Sequence, residues 1–216
     1  MAIQNEARRI YQNITSRCTT SNNLGTSINS ATKEYIDIIF KSAAGTNGKL
    51  NAEEASAVNR FLEQSGMDLT NIDFAEAEAL VTRWQGQATD FLPSITSFDE
   101  INQGFALLSS HVNEAKSESI AKRFGYLVSA AVFFNRIIKG RNALGNNTVA
   151  MIRRQLDGLM SKPEIANSMP GVKSDMGNFC LTLLNKTSRD ADEYKQLHNA
   201  FIDKHLSDIN WFHKMA

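Results

Sequence analysis

Apolar residues recur along this chain at steps of three and four. Phe74, Ala77, Leu80, Val81, Trp84 and Phe91 form one such stripe, and Ile120, Phe124, Leu127, Val128, Ala131, Phe134 and Ile138 form another. This period places the apolar side chains on one face of an α-helix. No segment alternates convincingly at period two, so no strand is expected. Helix starts are legible where Asn51 is followed by Glu54 and Ser97 by Glu100, the spacing at which a cap side chain and a carboxylate three residues on exchange hydrogen bonds with each other's backbone. The pattern predicts helices near 3–17, 29–43, 52–65, 72–91, 98–113, 118–139, 147–161, 174–186 and 189–213. The expected fold is all-α, an irregular bundle of eight or nine helices without a sheet.

The breaks between these stripes fall at Gly45 and Gly48, at Gly66, at Pro93, over Gly140 to Asn147, and over Lys162 to Ser174, which carries Pro163 and Pro170. The last reads as a linker. Residues 1–28 are expected as a helix followed by a Ser/Thr/Asn-rich connection, 29–162 as the main bundle, and 174–216 as C-terminal helices that pack on the bundle or extend it. No repeat at the periods of helical solenoids is visible.

Composition narrows the function class. The chain has 216 residues, 42% hydrophobic and 21% charged, with two cysteines far apart, Cys18 and Cys180. Disorder, collagen and a disulfide scaffold are excluded on these figures. The most apolar run, Leu127 to Phe134, is far below the ~20 residues that cross a bilayer. Neither a membrane span nor a cleaved secretory signal is expected, and a cytoplasmic location follows as the expectation. The segment from Met1 to Thr32, rich in Asn, Ser and Thr and poor in acids, leaves secretion through a non-cleaved signal as the alternative.

Formal net charge is zero, yet it is unevenly spread. Residues 51–100 hold ten acidic side chains against Arg60 and Arg83, and residues 116–162 hold nine basic ones against Glu118 and Asp157. Two arrangements explain this. Either the blocks face one another, with basic side chains near Glu76, Glu78, Asp90 or Glu100, or Lys139, Arg141, Arg153 and Arg154 form a surface for an anion or a partner, beside a helix start whose free N–H groups favour negative charge. The first is the favoured expectation. Aromatic residues do not interleave with the basic ones, which argues against a nucleic-acid partner.

The sharpest local motif runs from Ala43 to Glu54, between two helices. It has the outline of a calcium loop, with Asn47, the turn residue Gly48, Asn51 and Glu54 at the fifth, sixth, ninth and twelfth positions. Positions one and three are Ala43 and Gly45, which supply no side-chain oxygen, so a hard cation is poorly served and no metal or other cofactor is expected. Helix grammar explains the motif: a glycine stop, a turn, then Asn51 and Glu54 capping the next helix.

An apolar helix carrying Tyr35, Ile36, Ile39 and Phe40, then Asn47-Gly48-Lys49-Leu50-Asn51-Ala52-Glu53-Glu54, then Val58, Phe61 and Leu62 ending at Gly66, resembles the first half of TerB-like domains, small helical modules first linked to tellurite resistance. Phe124 to Leu156 offers a faint second copy. Asn47 stands where the family has Asp, and the second unit has neither the Asp-Gly nor the Glu. The resemblance implies a bacterial helical interaction or stress-response module in which Glu54 is the acidic motif residue retained, and it places no catalytic residue.

Other chemistry is sparse. His198 and His205 lie nearly two helical turns apart, about 10 Å, too far to share one ion, His205 and Asp208 make at best half a site, and His111 suits the negative end of a helix. No nucleophile motif, phosphate loop or paired carboxylate is present. Leu197, Phe201, Trp211 and Phe212 lie along an amphipathic C-terminal helix that either packs on the core or binds a partner. The expected function is therefore a non-enzymatic interaction or stress-response module acting through a protein partner or self-association. A secreted effector or toxin-associated protein, and a helical enzyme whose site converges from several helices, are the alternatives.

Overall fold

The computed structural model describes residues 30–69, 71–115, 120–168, 172, 175–179 and 182–183. Among these residues there are seven α-helices, two short 3-10 turns and no strand, so the fold is all-α. The helices are α1 (Ser30–Ala43), α2 (Ala52–Ser65), α3 (Phe74–Phe91), α4 (Phe98–Ala115), α5 (Ile120–Lys139), α6 (Asn146–Met160) and α7 (Pro163–Ser168). Residues 175–179 are also helical. The expected helices at 3–17 and 189–213 lie outside the described residues, and with them Leu197, Phe201, Trp211, Phe212 and the histidines at 198, 205 and 213.

Capping explains the sharpest boundaries. Asn51 Oδ1 accepts from the Glu54 N–H at 2.8 Å while Glu54 Oε2 accepts from the Asn51 N–H at 3.1 Å. Asp73 and Glu76 repeat the arrangement at the start of α3, so α3 begins at Phe74, the first residue of its apolar stripe and two residues later than the expected range of 72–91. At the start of α4 the fit is looser, with Ser97 Oγ accepting from the Glu100 N–H at 3.5 Å. Gly66 closes α2 in the left-handed conformation, at φ 68°.

The stretch expected as a linker is corrected in part. Residues 163–168 form α7, with Pro163 at the first helical position, where its missing N–H is no loss. Ile165 of α7 is fully buried against the α6 side of the core. Pro163 interrupts the apolar pattern along the chain, yet in the fold it starts a helix.

Two apolar clusters share one helix. The first joins α1, α2 and α3 through Ile39, Phe61, Leu80 and Trp84, and takes Val128 and Val132 from α5. The second joins α4, α6 and α7 through Ile101, Phe105, Ile152 and Ile165, with Phe179 beyond, and takes Ala130, Phe133, Phe134 and Ile137 from α5. A helix buried on two sides must be apolar around most of its circumference. That is why α5 holds the most apolar run of the chain.

Close approach of α4 to α5 depends on Gly104. A Cβ there would collide with the Phe133 ring. Trp84, buried completely, donates its indole N–H to Ser42 Oγ at 2.8 Å, and Ser42 in turn donates to the Ile39 carbonyl at 2.9 Å. The largest side chain of the first cluster thus enters the core with its polar atom satisfied.

Candidate functional site

The loop between α1 and α2 is held from behind by a buried ion pair. Arg136, on α5, donates from Nη1 and Nη2 to Glu54 Oε1 at 3.3 and 3.2 Å, and both residues are 4% exposed. Arg136 Nε donates to the Pro93 carbonyl at 2.9 Å, and the Arg136 carbonyl accepts from the Ile95 N–H at 3.1 Å. One side chain therefore ties the start of α2, the α3–α4 connection and α5 together. Glu54 has one oxygen on the guanidinium and the other on its own helix cap. Burial pushes its carboxyl above the usual range, against the opposing pull of the Asn51 N–H and the Arg136 charge.

The oxygens of the calcium-like loop have partners of their own. Glu54 is engaged with Arg136 and the Asn51 N–H, and Asn47 Oδ1 accepts from the Lys49 N–H at 2.9 Å. The side-chain oxygens of Asn47, Asn51 and Glu54 are thus engaged within the turn and its support. Among the described residues no group of His, Cys, Asp and Glu is placed to hold a metal ion. Gly45 and Gly48 both have positive φ, and a Cβ on Gly45 would collide with Glu54 Oε1.

Next to the pair, α1, α4 and α5 enclose a cleft of about 380 Å³. Contacts at glycines give its direction: Gly125 lies against Ile38, Gly104 against Phe133, and Gly45 against Arg136. α1 therefore runs parallel to α5 along the cleft and α4 runs antiparallel. At one end stand Gly45, Gly104, Phe133 and Arg136; at the other stand Glu34, His111 and Lys122. Ile38, Leu107 and Leu108 supply apolar walls between them. Tyr126 also lines the cleft, and its buried hydroxyl has no hydrogen-bond partner among the described residues. Burial pushes its pKa up, so the hydroxyl stays protonated and remains a donor.

At the N-terminal end of α5 lies an apolar surface. The rings of Tyr35 and Phe74 are 4.6 Å apart, edge to face, and those of Tyr35 and Phe124 are 5.5 Å apart. Phe74 is 38% exposed and Ile120, one turn before Phe124, is 75% exposed. Aromatic rings from α1, α3 and α5 thus pack together, with Tyr35 buried, Phe124 half-buried and Phe74 reaching the surface.

The expected facing of the acidic and basic blocks is corrected for two of the four basic residues. Lys139 Nζ donates to the carbonyls of Thr89 and Leu92 at 2.6 and 3.0 Å, and Arg141 Nη1 donates to the Ile138 carbonyl at 2.9 Å. Carbonyls at a helix C-terminus carry the negative end of its dipole and have no partner within the helix, which makes the end of α3 a better fit for Lys139 than a carboxylate side chain is. Arg153 is half-buried and Arg154 exposed on α6. Glu54 with Arg136 is a buried union between the blocks.

Sequence reasoning counted Arg136 as one more surface cation and missed both the pair and the cleft. The available signal was its position between Phe133 and Ile137 on the apolar face of α5. No family profile, curated protein or solved structure matches the chain.

Proposed function

We propose that this chain is a non-enzymatic helical interaction module that acts through a protein partner. The observation that carries the reading is the aromatic surface built by Tyr35, Phe74 and Phe124 and extended by Ile120. The exposed side chains there are Phe74 and Ile120, from two helices, backed by the buried Tyr35 and the half-buried Phe124, and large apolar side chains grouped in this way are what protein interfaces use as anchors, whereas singly scattered ones, such as Phe98, are ordinary. The Asn47 to Glu54 motif and its TerB-like outline support a module of the same kind.

Photo-crosslinking tests this. A photoreactive residue placed at Ile120, and separately at Phe74, is expected to trap the same protein, which then forms a stoichiometric complex when both purified chains are mixed. Different products from the two positions, or no complex on reconstitution, would overturn the reading.

A further inference from the structure

We propose that the surface of Phe74 and Ile120 pairs with a second copy of this chain, turned by a two-fold rotation, so that Glu78 of each copy meets Arg123 of the other. The inference rests on the reading of that surface as an interface and names its partner. Its two flanks carry unlike charge. Phe74 lies at the start of α3 and Ile120 at the start of α5, with the rings of Tyr35 and Phe124 between them. On α3, Glu78 stands one turn after Phe74 on the same helix face, Asp73 and Glu76 lie nearby, and no basic residue follows before Arg83. On α5, Arg123 stands three residues after Ile120, next to Lys122, and the helix contains no acidic residue. Between the two ends α1 contributes one exposed residue of each sign, Lys33 and Glu34.

Glu78 and Arg123 are the uncommitted members of these flanks. Asp73 and Glu76 are used in the cap of α3, and Lys122 lines the mouth of the cleft. Glu78 and Arg123 are exposed, and neither side chain has a hydrogen bond or ion pair among the described residues. Burial and, after it, the Glu78 charge push the Tyr35 phenol up, which sets that carboxylate at the edge of the ring cluster. Arg123 sits in the first turn of its helix, at the positive end of the dipole, where a cation is disfavoured and a carboxylate from outside offsets the cost.

An apolar strip with an acid at one end and a base at the other is complementary to itself. A two-fold axis through its middle sets each acidic end on the basic end of the other copy, so both copies use the same residues and the contact closes with two chains. Phe74 and Ile120 from each copy supply the apolar middle. The unlike pairs at its ends are exposed, so they fix the register of the contact more than its strength. With two large exposed side chains from each copy the contact is small, and the association is reversible.

Sedimentation of the full chain over a dilution series, alone and as the charge reversals Glu78→Arg and Arg123→Glu, tests the pairing. The wild type is expected to pass from monomer to dimer as concentration rises. Either reversal sets like charges together at both contacts and should weaken the dimer at least about tenfold. An equimolar mixture of the two variants has unlike charges at both contacts again, and should form a mixed dimer about as tightly as the wild type associates. Phe74→Ser/Ile120→Ser should remain monomeric, and circular dichroism checks that each variant is folded. A wild type that stays monomeric up to its highest attainable concentration, a dimer that neither reversal weakens, or a mixture no tighter than its separate components would overturn the proposal. If crosslinks from Phe74 and Ile120 both join the chain to one different protein, the surface stands as an interface and the second copy as its partner is overturned.

Discussion

Arg136 shows how far a single side chain can reach. Its guanidinium joins Glu54 of α2 to Pro93 of the α3–α4 connection from a buried position on α5. Removing one member of a buried pair leaves the other charge without compensation, at a loss of about 3–5 kcal/mol. Arg136→Met should therefore destabilise the chain by about that much in urea unfolding. Glu54→Gln/Arg136→Met should recover part of the loss; a double variant no better than the single one would show that the two side chains are not coupled. Asp37 offers a test of titration. Burial, opposed by Lys41 and Lys33, raises its carboxyl pKa from the ordinary 3.8. A raised carboxylate favours the folded state most when protonated, so its contribution is complete below the ordinary value and is lost as pH rises through the folded one. The Tm of Asp37→Asn is expected to gain on that of the wild type as pH rises from the acid side toward neutrality. A constant difference between them would contradict this.

At the scale of elements, the helices that were legible are those whose ends carry local chemistry. α2 runs from its Asn51 cap to its Gly66 stop because both signals lie within a few residues of the boundary. The position of Arg136 on the apolar face of α5 hints at burial, but its pairing was not legible because the partner lies 82 positions away, and no local pattern encodes that distance. The cleft was invisible for the same reason, being made by glycines on facing elements. α7 was missed because Pro163 serves equally as a breaker and as a first helical residue, and only the tertiary burial of Ile165 decides. Glycines at 45 and 66 separate backbone strain from contact. Both have positive φ, near 66° and 68°, yet a Cβ at Gly66 meets nothing within 4 Å while one at Gly45 meets Glu54. Gly66→Ala should lose about 1–3 kcal/mol from strain alone, and Gly45→Ala should lose clearly more by displacing the ion pair. Equal losses in thermal unfolding would mean that Glu54 yields without consequence.

In the molecule as a whole, α5 belongs to both apolar clusters and carries a different surface at each end. Its C-terminal half is fixed by Arg136 and by the Lys139 ammonium on the end of α3. Its first turn exposes Ile120, and Phe124 packs half-buried against Tyr35, whose ring also meets Phe74. Because Val132 faces one cluster and Ile137 the other, the described helices should unfold together. In a Trp211→Phe background, which leaves Trp84 in the opposite cluster as the one tryptophan, Ile137→Ala is expected to lower the stability of the whole by about 2–5 kcal/mol, with tryptophan fluorescence shifting in the same transition as circular dichroism; two separated transitions would show that the clusters are independent. Partner binding places the two candidate surfaces in competition. With the trapped partner reconstituted, its affinity should be measured for Phe74→Ser/Ile120→Ser and for Arg153→Ala/Arg154→Ala over a salt series. The account predicts a loss of at least about tenfold for the apolar pair and little change, with a shallow salt dependence, for the basic pair. A steep fall with salt that is relieved in Arg153→Ala/Arg154→Ala, with Phe74→Ser/Ile120→Ser binding as the wild type does, would contradict it.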